Sequence, residues 1–173
     1  MSADGADAVT LEAASPADAT LLSNLLELYL HDLSEAFPAI ELGEDGRFGY
    51  DSLPLYWSEP DRRFPFLIRT GGRVAGFVLA RHGSPMSDDP DVLDVSEFFI
   101  LRRYRRSGVG RRAAFLVWDR LPGNWIVRVA EGNSGALLFW TEIVDEYTKG
   151  RASVVTRPGV PSAWRVFSFD SRS

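Results

Sequence analysis

Hydrophobic positions along the chain recur with two different periods, and the changes of period predict alternating helices and strands. Leucines in 17–36 recur every three or four residues, the spacing of one helical face, and Ser15-Pro16 supplies a helix start. The same spacing predicts helices over 109–121 and 134–147. A Pro- and Gly-containing stretch, 38–63, is predicted to form a loop with a short helix near residues 51–57.

Segments with a two-residue period, or with short apolar runs, predict seven strands. They cover Val9–Ala13, 64–69, 73–82, 92–101, 125–130, 152–156 and 164–169. The second and third strands form a hairpin, because Gly71-Gly72 supplies the positive φ angles that a tight turn requires. We therefore expect an α/β (α+β) fold, with one mixed, mostly antiparallel sheet of six or seven strands and helices on both faces.

The length of 173 residues fits one domain, which we place at residues 9–173. Residues 1–8 are polar and acidic, unlike a signal peptide, and are expected to form a disordered tail. No apolar run approaches the roughly 20 residues that span a bilayer. We therefore expect a cytoplasmic protein with no membrane partner.

The amino-acid composition limits which metals and ligands the protein is expected to bind. The chain has no cysteine and only two histidines, His31 and His82, so we expect no metal site. A net charge of −5 argues against nucleic acid as a partner. Six arginines nevertheless crowd residues 102–112, which contain no acid. A compact positive cluster on an acidic protein favours one small polyanionic ligand, because an extended nucleic acid requires a longer basic stripe.

The arginines flank a glycine turn that leads into a predicted helix. Gly108 and Gly110 allow backbone N–H groups to converge on one point, where the helix also places the positive end of its dipole. This arrangement indicates a phosphate or pyrophosphate site. A P-loop is excluded, since no Lys-Ser/Thr pair follows the last glycine.

A dinucleotide-binding fingerprint is a closer alternative. Residues 108–113 fit G-x-G-x-x-A, and Glu131 lies 21 residues beyond Gly110. That fingerprint requires a strand to enter the glycines almost directly, whereas residues 101–107 intervene here. The motif also lies past the middle of the chain, which leaves no room for a second nucleotide-binding half.

Residues 94–147 resemble the acetyl-CoA-binding core of the GNAT superfamily of acyl-CoA N-acyltransferases. The family signature Q/R-x-x-G-x-G/A is matched by Arg105, Gly108 and Gly110, after the hydrophobic strand that the family uses. The family's later strand, asparagine and helix with alanine and aromatics are matched by Asn133, Ala136, Phe139 and Trp140. The two motifs occur in the family's order and on the predicted elements. Together they therefore indicate the family more specifically than either motif would alone.

The resemblance implies acetyl-CoA as the acyl donor and assigns its contacts. Two central strands are splayed apart in the family, and the strand ending at Leu101 corresponds to one of them. The implied donor-binding residues comprise the strand that pairs with the pantetheine arm (Phe98, Phe99, Ile100), the phosphate turn (Arg105, Arg106, Ser107, Gly108, Val109, Gly110, Arg111), and Asn133 and Phe139 beside the pantetheine.

The implied activity is N-acetylation of a primary amine on a small molecule or peptide. A lysine-like amine is almost fully protonated at pH 7, so the enzyme must remove a proton before attack on the thioester. Glu97 is the candidate general base, since burial in an apolar strand raises the pKa of a carboxyl group. Asp94 in the same strand is the alternative catalytic residue. Both carboxylates could instead face solvent or pair with an arginine.

The sequence departs from the family in one respect. Many members carry a tyrosine on the last helix that protonates the departing thiolate, whereas this helix carries Phe139-Trp140 and a tyrosine, Tyr147, two turns later. Water, Tyr29 or Tyr50 could supply the proton. The departure also leaves open a non-catalytic module that binds or senses coenzyme A.

The sequence suggests, with less detail, where the acceptor and a second subunit could bind. Acids and aromatics around the first helix could form a pocket for a cationic amine: Glu27, Tyr29, Asp32, Glu35, Tyr50, Tyr56 and Trp57. Exposed terminal strands are compatible with a homodimer.

Overall fold

The computed structural model describes residues 8–173 and is built around one seven-stranded sheet. The strands are β1 (Val9–Ala13), β2 (Arg63–Thr70), β3 (Arg73–His82), β4 (Leu93–Ile100), β5 (Asn124–Ala130), β6 (Ser153–Arg157) and β7 (Trp164–Asp170). Their order is β1-β2-β3-β4-β5-β7-β6. Every neighbouring pair is antiparallel except β4 and β5, which are parallel. The mixed, mostly antiparallel sheet predicted from the sequence is therefore confirmed.

Four helices cover the two faces of this sheet, as predicted. They are α1 (Ala19–Leu33), α2 (Leu55–Ser58), α3 (Val109–Arg120) and α4 (Ser134–Thr148). Leu22 and Leu26 of α1 pack with Phe77 on one face, while α3 and α4 bury Trp118 and Val144 on the other. The helix α1 ends three residues before the predicted boundary. Of the predicted tail, only Ala8 lies within the described residues, and it precedes β1.

A β-bulge in β4 determines which side chains share a face of the sheet. Leu79 of β3 pairs with Glu97, and the next residue, Ala80, pairs with Val95, so Ser96 is an extra residue in β4. Without the bulge, Asp94 and Glu97 would lie on opposite faces, because side chains alternate along a strand. With it, Val95 joins the core beneath α3 and α4, and Asp94 and Glu97 both lie on the α1 face.

The parallel pairing of β4 and β5 is unusually short. Only two residue pairs connect the strands, Leu93 with Trp125 and Asp94 with Ile126. Beyond Asp94 the bulge bends β4 away, and the two strands separate. The resulting gap exposes the β5-facing side of β4, and it matches the strand separation that the family resemblance implies.

The close approach of β3 and β4 makes Gly76 a sensitive position. A Cβ atom at Gly76 would overlap the carbonyl oxygen of Phe99, whereas one at Gly135 in α4 would meet no atom within 4 Å. We expect Gly76→Ala to lower the free energy of unfolding by about 3 kcal/mol, because backbone must move. Gly135→Ala, the matched control, should stabilise the protein by up to about 1 kcal/mol. Urea unfolding curves measure both changes, and equal stability of the two variants would contradict the close contact.

Candidate active site

A cavity of about 220 Å³ occupies the gap between β4 and β5. Its wall combines strand residues with side chains from helices on both faces of the sheet. The lining includes Tyr29 and Leu33 of α1, Phe37, Ser96 to Phe98 of β4, Val127 to Ala130 of β5, Asn133, Ala136 and Trp140 at the start of α4, and Trp164 of β7. The cavity therefore connects the α1 face with the α4 face through the sheet.

Glu97 lies in this cavity and accepts hydrogen bonds from two tyrosines. The hydroxyl of Tyr29 donates to Oε2 at 2.5 Å, and the hydroxyl of Tyr50 donates to Oε1 at 3.0 Å. Burial raises the pKa of the Glu97 carboxyl above its usual range, against the two tyrosine hydrogen bonds and the charge of Arg128, which lower it. The result is a carboxylate fixed at both oxygens and more basic than an exposed glutamate.

Burial and the neighbouring carboxylate also raise the pKa values of Tyr29 and Tyr50 above the ordinary tyrosine value. Both hydroxyls therefore keep their protons at neutral pH and act as donors to Glu97. Tyr29 comes from the buried face of α1, and Tyr50 from the loop that follows it. Two segments distant in sequence thus orient one side chain of β4.

Asp94 occupies a different environment from Glu97. Its side chain is fully buried and forms an ion pair with Arg128 of β5, with Oδ2 3.2 Å from Nε and Oδ1 3.4 Å from Nη2. The hydroxyl of Ser96 donates a third hydrogen bond to Asp94 at 3.2 Å. For Asp94, the structure therefore shows the ion pair with an arginine that the sequence analysis gave as one alternative. This pair lies where β4 and β5 separate and bridges the two strands.

Neither Arg128 nor Trp164 is among the residues predicted from the sequence. The Arg128 guanidinium lies 5.8 Å from the centre of the Trp164 ring, and Phe37 packs against the other part of that ring at 5.8 Å between centroids. One sequence signal could have identified the arginine: it interrupts the otherwise apolar segment 125–130. A charged residue inside such a strand requires a buried partner or a ligand.

The glycine turn has the geometry of an anion site. Gly108 has φ of 83° and precedes the first residue of α3, and Arg106 also has positive φ. Within the described residues, the backbone N–H groups of residues 106–111 donate to no acceptor. Consecutive free N–H groups at the positive end of a helix dipole can surround a phosphate.

The residues beside this turn fit closely around it. A Cβ atom at Gly110 would lie 3.1 Å from the Phe139 ring and 3.5 Å from Ile100, so a larger residue there would require the Phe139 ring to shift. Phe139 packs in turn against Phe98, with ring centroids 5.7 Å apart. Asn133 caps α4 by accepting the N–H of Ala136. These residues, predicted to bind the donor, therefore lie beside the cavity and the glycine turn.

The arginine cluster, which the sequence analysis relates to one small polyanionic ligand, divides into paired and unpaired members. Arg102 and Arg105 both bind Asp32 of α1, at 2.5 and 2.7 Å, and Arg111 pairs with Glu146 of α4. Burial alone would raise the pKa of Asp32, but the two arginines lower it below its ordinary value. Arg103, Arg106 and Arg112 form no ion pair within residues 8–173.

The suggested pocket for a cationic amine does not form from the residues proposed for it. Glu27 accepts the backbone N–H groups of Phe48 and Gly49, and Asp32 is occupied by arginines. Of the suggested set, only Tyr29 lines the cavity. The hydroxyl of Tyr147 donates to Asp119 at 2.8 Å, away from the cavity, so it is not placed to protonate a thiolate there.

The comparisons with known proteins agree with this geometry. Residues 23–143 match the sequence model of the acetyltransferase (GNAT) family. The chain belongs to this family. The resemblance inferred from Arg105, the two glycines and Asn133 is thereby confirmed. A comparison with curated proteins finds no significant match.

Solved structures of this GNAT fold superpose over nearly the whole chain. An acetyltransferase from Thermus thermophilus has a TM-score of 0.65 at 17% identity, covering 96% of this chain and 99% of its own. Spermidine N-acetyltransferase from Vibrio cholerae, solved with CoA and spermine, has a TM-score of 0.64 at 13% identity, covering 95% and 96%. The protein yncA from Salmonella typhimurium, solved with acetyl-CoA, has 0.65 at 14% identity, covering 95% of each chain.

The described residues offer neither a membrane-spanning helix nor a metal site. In residues 8–173, no helix has the length and apolarity needed to cross a bilayer. Nor do histidine and carboxylate side chains in the same range form a group that could hold a metal ion.

The Asp94–Arg128 pair provides a test of the site's architecture. Arg128→Gln should lower the free energy of unfolding by about 3 kcal/mol, because it leaves a buried carboxylate without its cation. The double variant Asp94→Asn/Arg128→Gln should recover most of this loss, since a neutral pair removes the buried charge. Urea unfolding at pH 7 measures both, with Arg165→Gln as the control at a more exposed pair. A double variant no more stable than Arg128→Gln would contradict the coupling.

Proposed function

We propose that this GNAT protein is an N-acetyltransferase that transfers the acetyl group of acetyl-CoA to a primary amine, with Glu97 as general base. The observation that carries the proposal is the position of Glu97, held by two tyrosines beside the gap between β4 and β5. The gap ends at a turn with free backbone donors. A buried carboxylate, a gap in the sheet and a turn with free backbone donors are therefore all found on β4 or on the segment that follows it.

The donor-binding role follows from groups that the fold leaves without partners. Beyond Asp94, the β5-facing side of β4 has no neighbouring strand, so the main chain of Phe98, Phe99 and Ile100 is available to pair with a pantetheine arm. The N–H groups of residues 106–111 would bind the pyrophosphate, and Arg106 and Arg112 add positive charge there. Asn133 and Phe139 would contact the arm from the α4 side.

Glu97 would act on the acceptor. The ammonium group of the acceptor gives a proton to the carboxylate, and the neutral nitrogen attacks the thioester carbonyl. The carbon–sulfur bond then breaks, and coenzyme A leaves as a thiolate, while the nitrogen loses a second proton as it becomes an amide. Water can relay that proton to the thiolate, because the pKa of the coenzyme A thiol is near that of cysteine, about 8.5. Tyr29 and Tyr50 keep Glu97 oriented, and their raised pKa values make them weak acids.

Binding of the donor is the first test. With acetyl-CoA at 100 times its Kd, stability should rise by about 2.7 kcal/mol, or a melting shift of roughly 5–10 °C for this size. Ser107→Asp should weaken binding at least about tenfold, because it adds negative charge at the exposed turn. Ser153→Asp, on exposed β6, adds the same charge elsewhere and should bind normally. No melting shift in the wild-type protein would refute the proposal.

Kinetics of Glu97→Gln test the base. The variant should retain acetyl-CoA binding and lose at least about 100-fold in kcat/KM for the best amine of a screening panel. Because only ionised Glu97 accepts the proton, the wild-type-to-variant ratio should be constant at high pH. It should decrease as pH falls through a pKa above the usual glutamate value of about 4.3.

A matched control and two contrary results complete the test of Glu97 as general base. In the control variant Glu131→Gln, at the end of β5, the wild-type-to-variant ratio of kcat/KM should stay near one at all pH values. A ratio independent of pH for Glu97→Gln would remove Glu97 from the role of base. Acetyl-CoA binding without thiol release on any amine would instead favour a coenzyme A-sensing module, for which the absence of a tyrosine at the Phe139-Trp140 positions of α4 is the supporting observation.

A further inference from the structure

Arg128 carries hydrogen-bonding capacity that the fold does not use. Its Nε and Nη2 atoms contact Asp94, but its Nη1 group has no hydrogen-bond partner in the described part of the chain. The side chain is 18% exposed and lines the cavity that also contains Glu97. A guanidinium has five N–H donors in one plane, so the edge left open by Asp94 can still bind an anion.

The orientation of this guanidinium is fixed from several directions. Asp94, fully buried beneath it, holds one edge, and the Trp164 ring covers one side. Trp164 is itself held in place, because a Cβ atom at Gly159 would overlap its indole ring. An arginine that is ordered before a ligand arrives loses little side-chain entropy on binding. Arg128 is therefore part of a built site rather than a mobile surface charge.

The cavity places this donor near the group that acts on the amine. Arg128 is close enough to Glu97 for its charge to lower the pKa of that carboxyl. When the amine of an acceptor reaches Glu97, other groups on the same small molecule therefore lie near Arg128. Guanidinium groups bind carboxylates through two parallel hydrogen bonds, which gives orientation as well as affinity.

We propose that Arg128 is the carboxylate-binding residue of the acceptor site, and that the acceptor is a small amino acid whose amine and carboxylate are separated by one or a few carbons. The proposal rests on the acetyltransferase function proposed above. The substrate carboxylate binds the free edge of Arg128, and the amine faces Glu97. This arrangement would select against amines without an acidic group, because those leave guanidinium donors unpaired in a partly enclosed cavity.

The other residues that line the cavity indicate which side chain the acceptor amino acid should carry. Leu33, Phe37 and Trp164 form an apolar rim on the α1 side of the cavity. An apolar or aromatic side group of the acceptor would pack against such a rim. Phenylalanine, leucine and methionine are therefore suitable probes.

The first arm of the experiment measures acetylation by the wild-type protein with acetyl-CoA and paired acceptors. Each pair is an amino acid (L-phenylalanine, L-leucine or L-methionine) and its carboxamide, with phenethylamine as an acceptor that lacks the group altogether. We expect kcat/KM for the best acid to exceed that for its amide at least tenfold. The amide has the more easily deprotonated amine, so a preference for the acid cannot arise from amine basicity.

The second arm tests the residue. In Asp94→Asn/Arg128→Gln, which keeps the pair neutral and similar in shape, KM for the acid should rise at least tenfold, with a much smaller change for the amide. Arg165→Gln removes a nearby arginine that does not line the cavity, and it should leave the acid-to-amide ratio unchanged. The double variant must still show the acetyl-CoA melting shift, which establishes that it is folded.

The outcomes separate this inference from the function on which it rests. Acetylation of phenethylamine or the amides as efficient as that of the acids would overturn the inference and leave the acetyltransferase function intact. The same holds if no amino acid is acetylated while other amines are, or if the double variant keeps the acid-to-amide ratio. Failure of the wild-type protein to bind acetyl-CoA would overturn the proposed function itself.

Discussion

The short parallel contact between β4 and β5 is the constraint on which the rest of the site depends. Parallel strands normally continue pairing along their length, but here the ladder stops after Asp94 and Ile126. The extra residue at Ser96 bends β4 and moves Glu97 onto the face that carries Asp94. One local irregularity therefore opens the cavity, frees the main chain of β4 and collects the charged groups on the α1 side. A regular β4 would close the gap and turn Glu97 towards the core beneath α3 and α4.

The two carboxylates beside the gap affect the stability of the fold in different ways. Asp94 is fully buried, and its ion pair with Arg128 lies where backbone pairing ends, so it connects the strands where their hydrogen bonds do not. Within residues 8–173 Glu97 forms no ion pair, and burial raises the pKa of its carboxyl. Because the folded state favours its protonated form, ionisation of Glu97 reduces stability as pH rises through the window between the unfolded and folded pKa values. Such a cost is expected where a carboxylate is kept reactive.

Most of the fold could be predicted from the sequence because its signals are local. The helical period in α1 and α4, the apolar run of β4 and the Gly71-Gly72 turn each identify an element without knowledge of the others. The glycine turn at 108–110 was equally readable, since its chemistry lies within a few residues. The bulge at Ser96 and the Asp94–Arg128 pair depend on contacts between distant strands, and no local pattern encodes them. The arginine cluster was only partly readable, because its partners Asp32 and Glu146 lie on other helices.

The donor-binding and acceptor-binding sides of the proposed site are built from different kinds of groups. The proposed phosphate-binding turn is formed by backbone groups of one continuous segment, and Arg102 and Arg105 connect it to α1 through Asp32. The proposed acceptor side combines side chains from α1, the loop around Tyr50, β5 and β7, which lie far apart in the sequence. A substitution at Arg128, Trp164 or Phe37 therefore changes the acceptor wall without touching the turn at α3. In the proposed site, donor binding would depend on main-chain geometry and acceptor choice on a few side chains, so acceptor choice could vary while donor binding is retained.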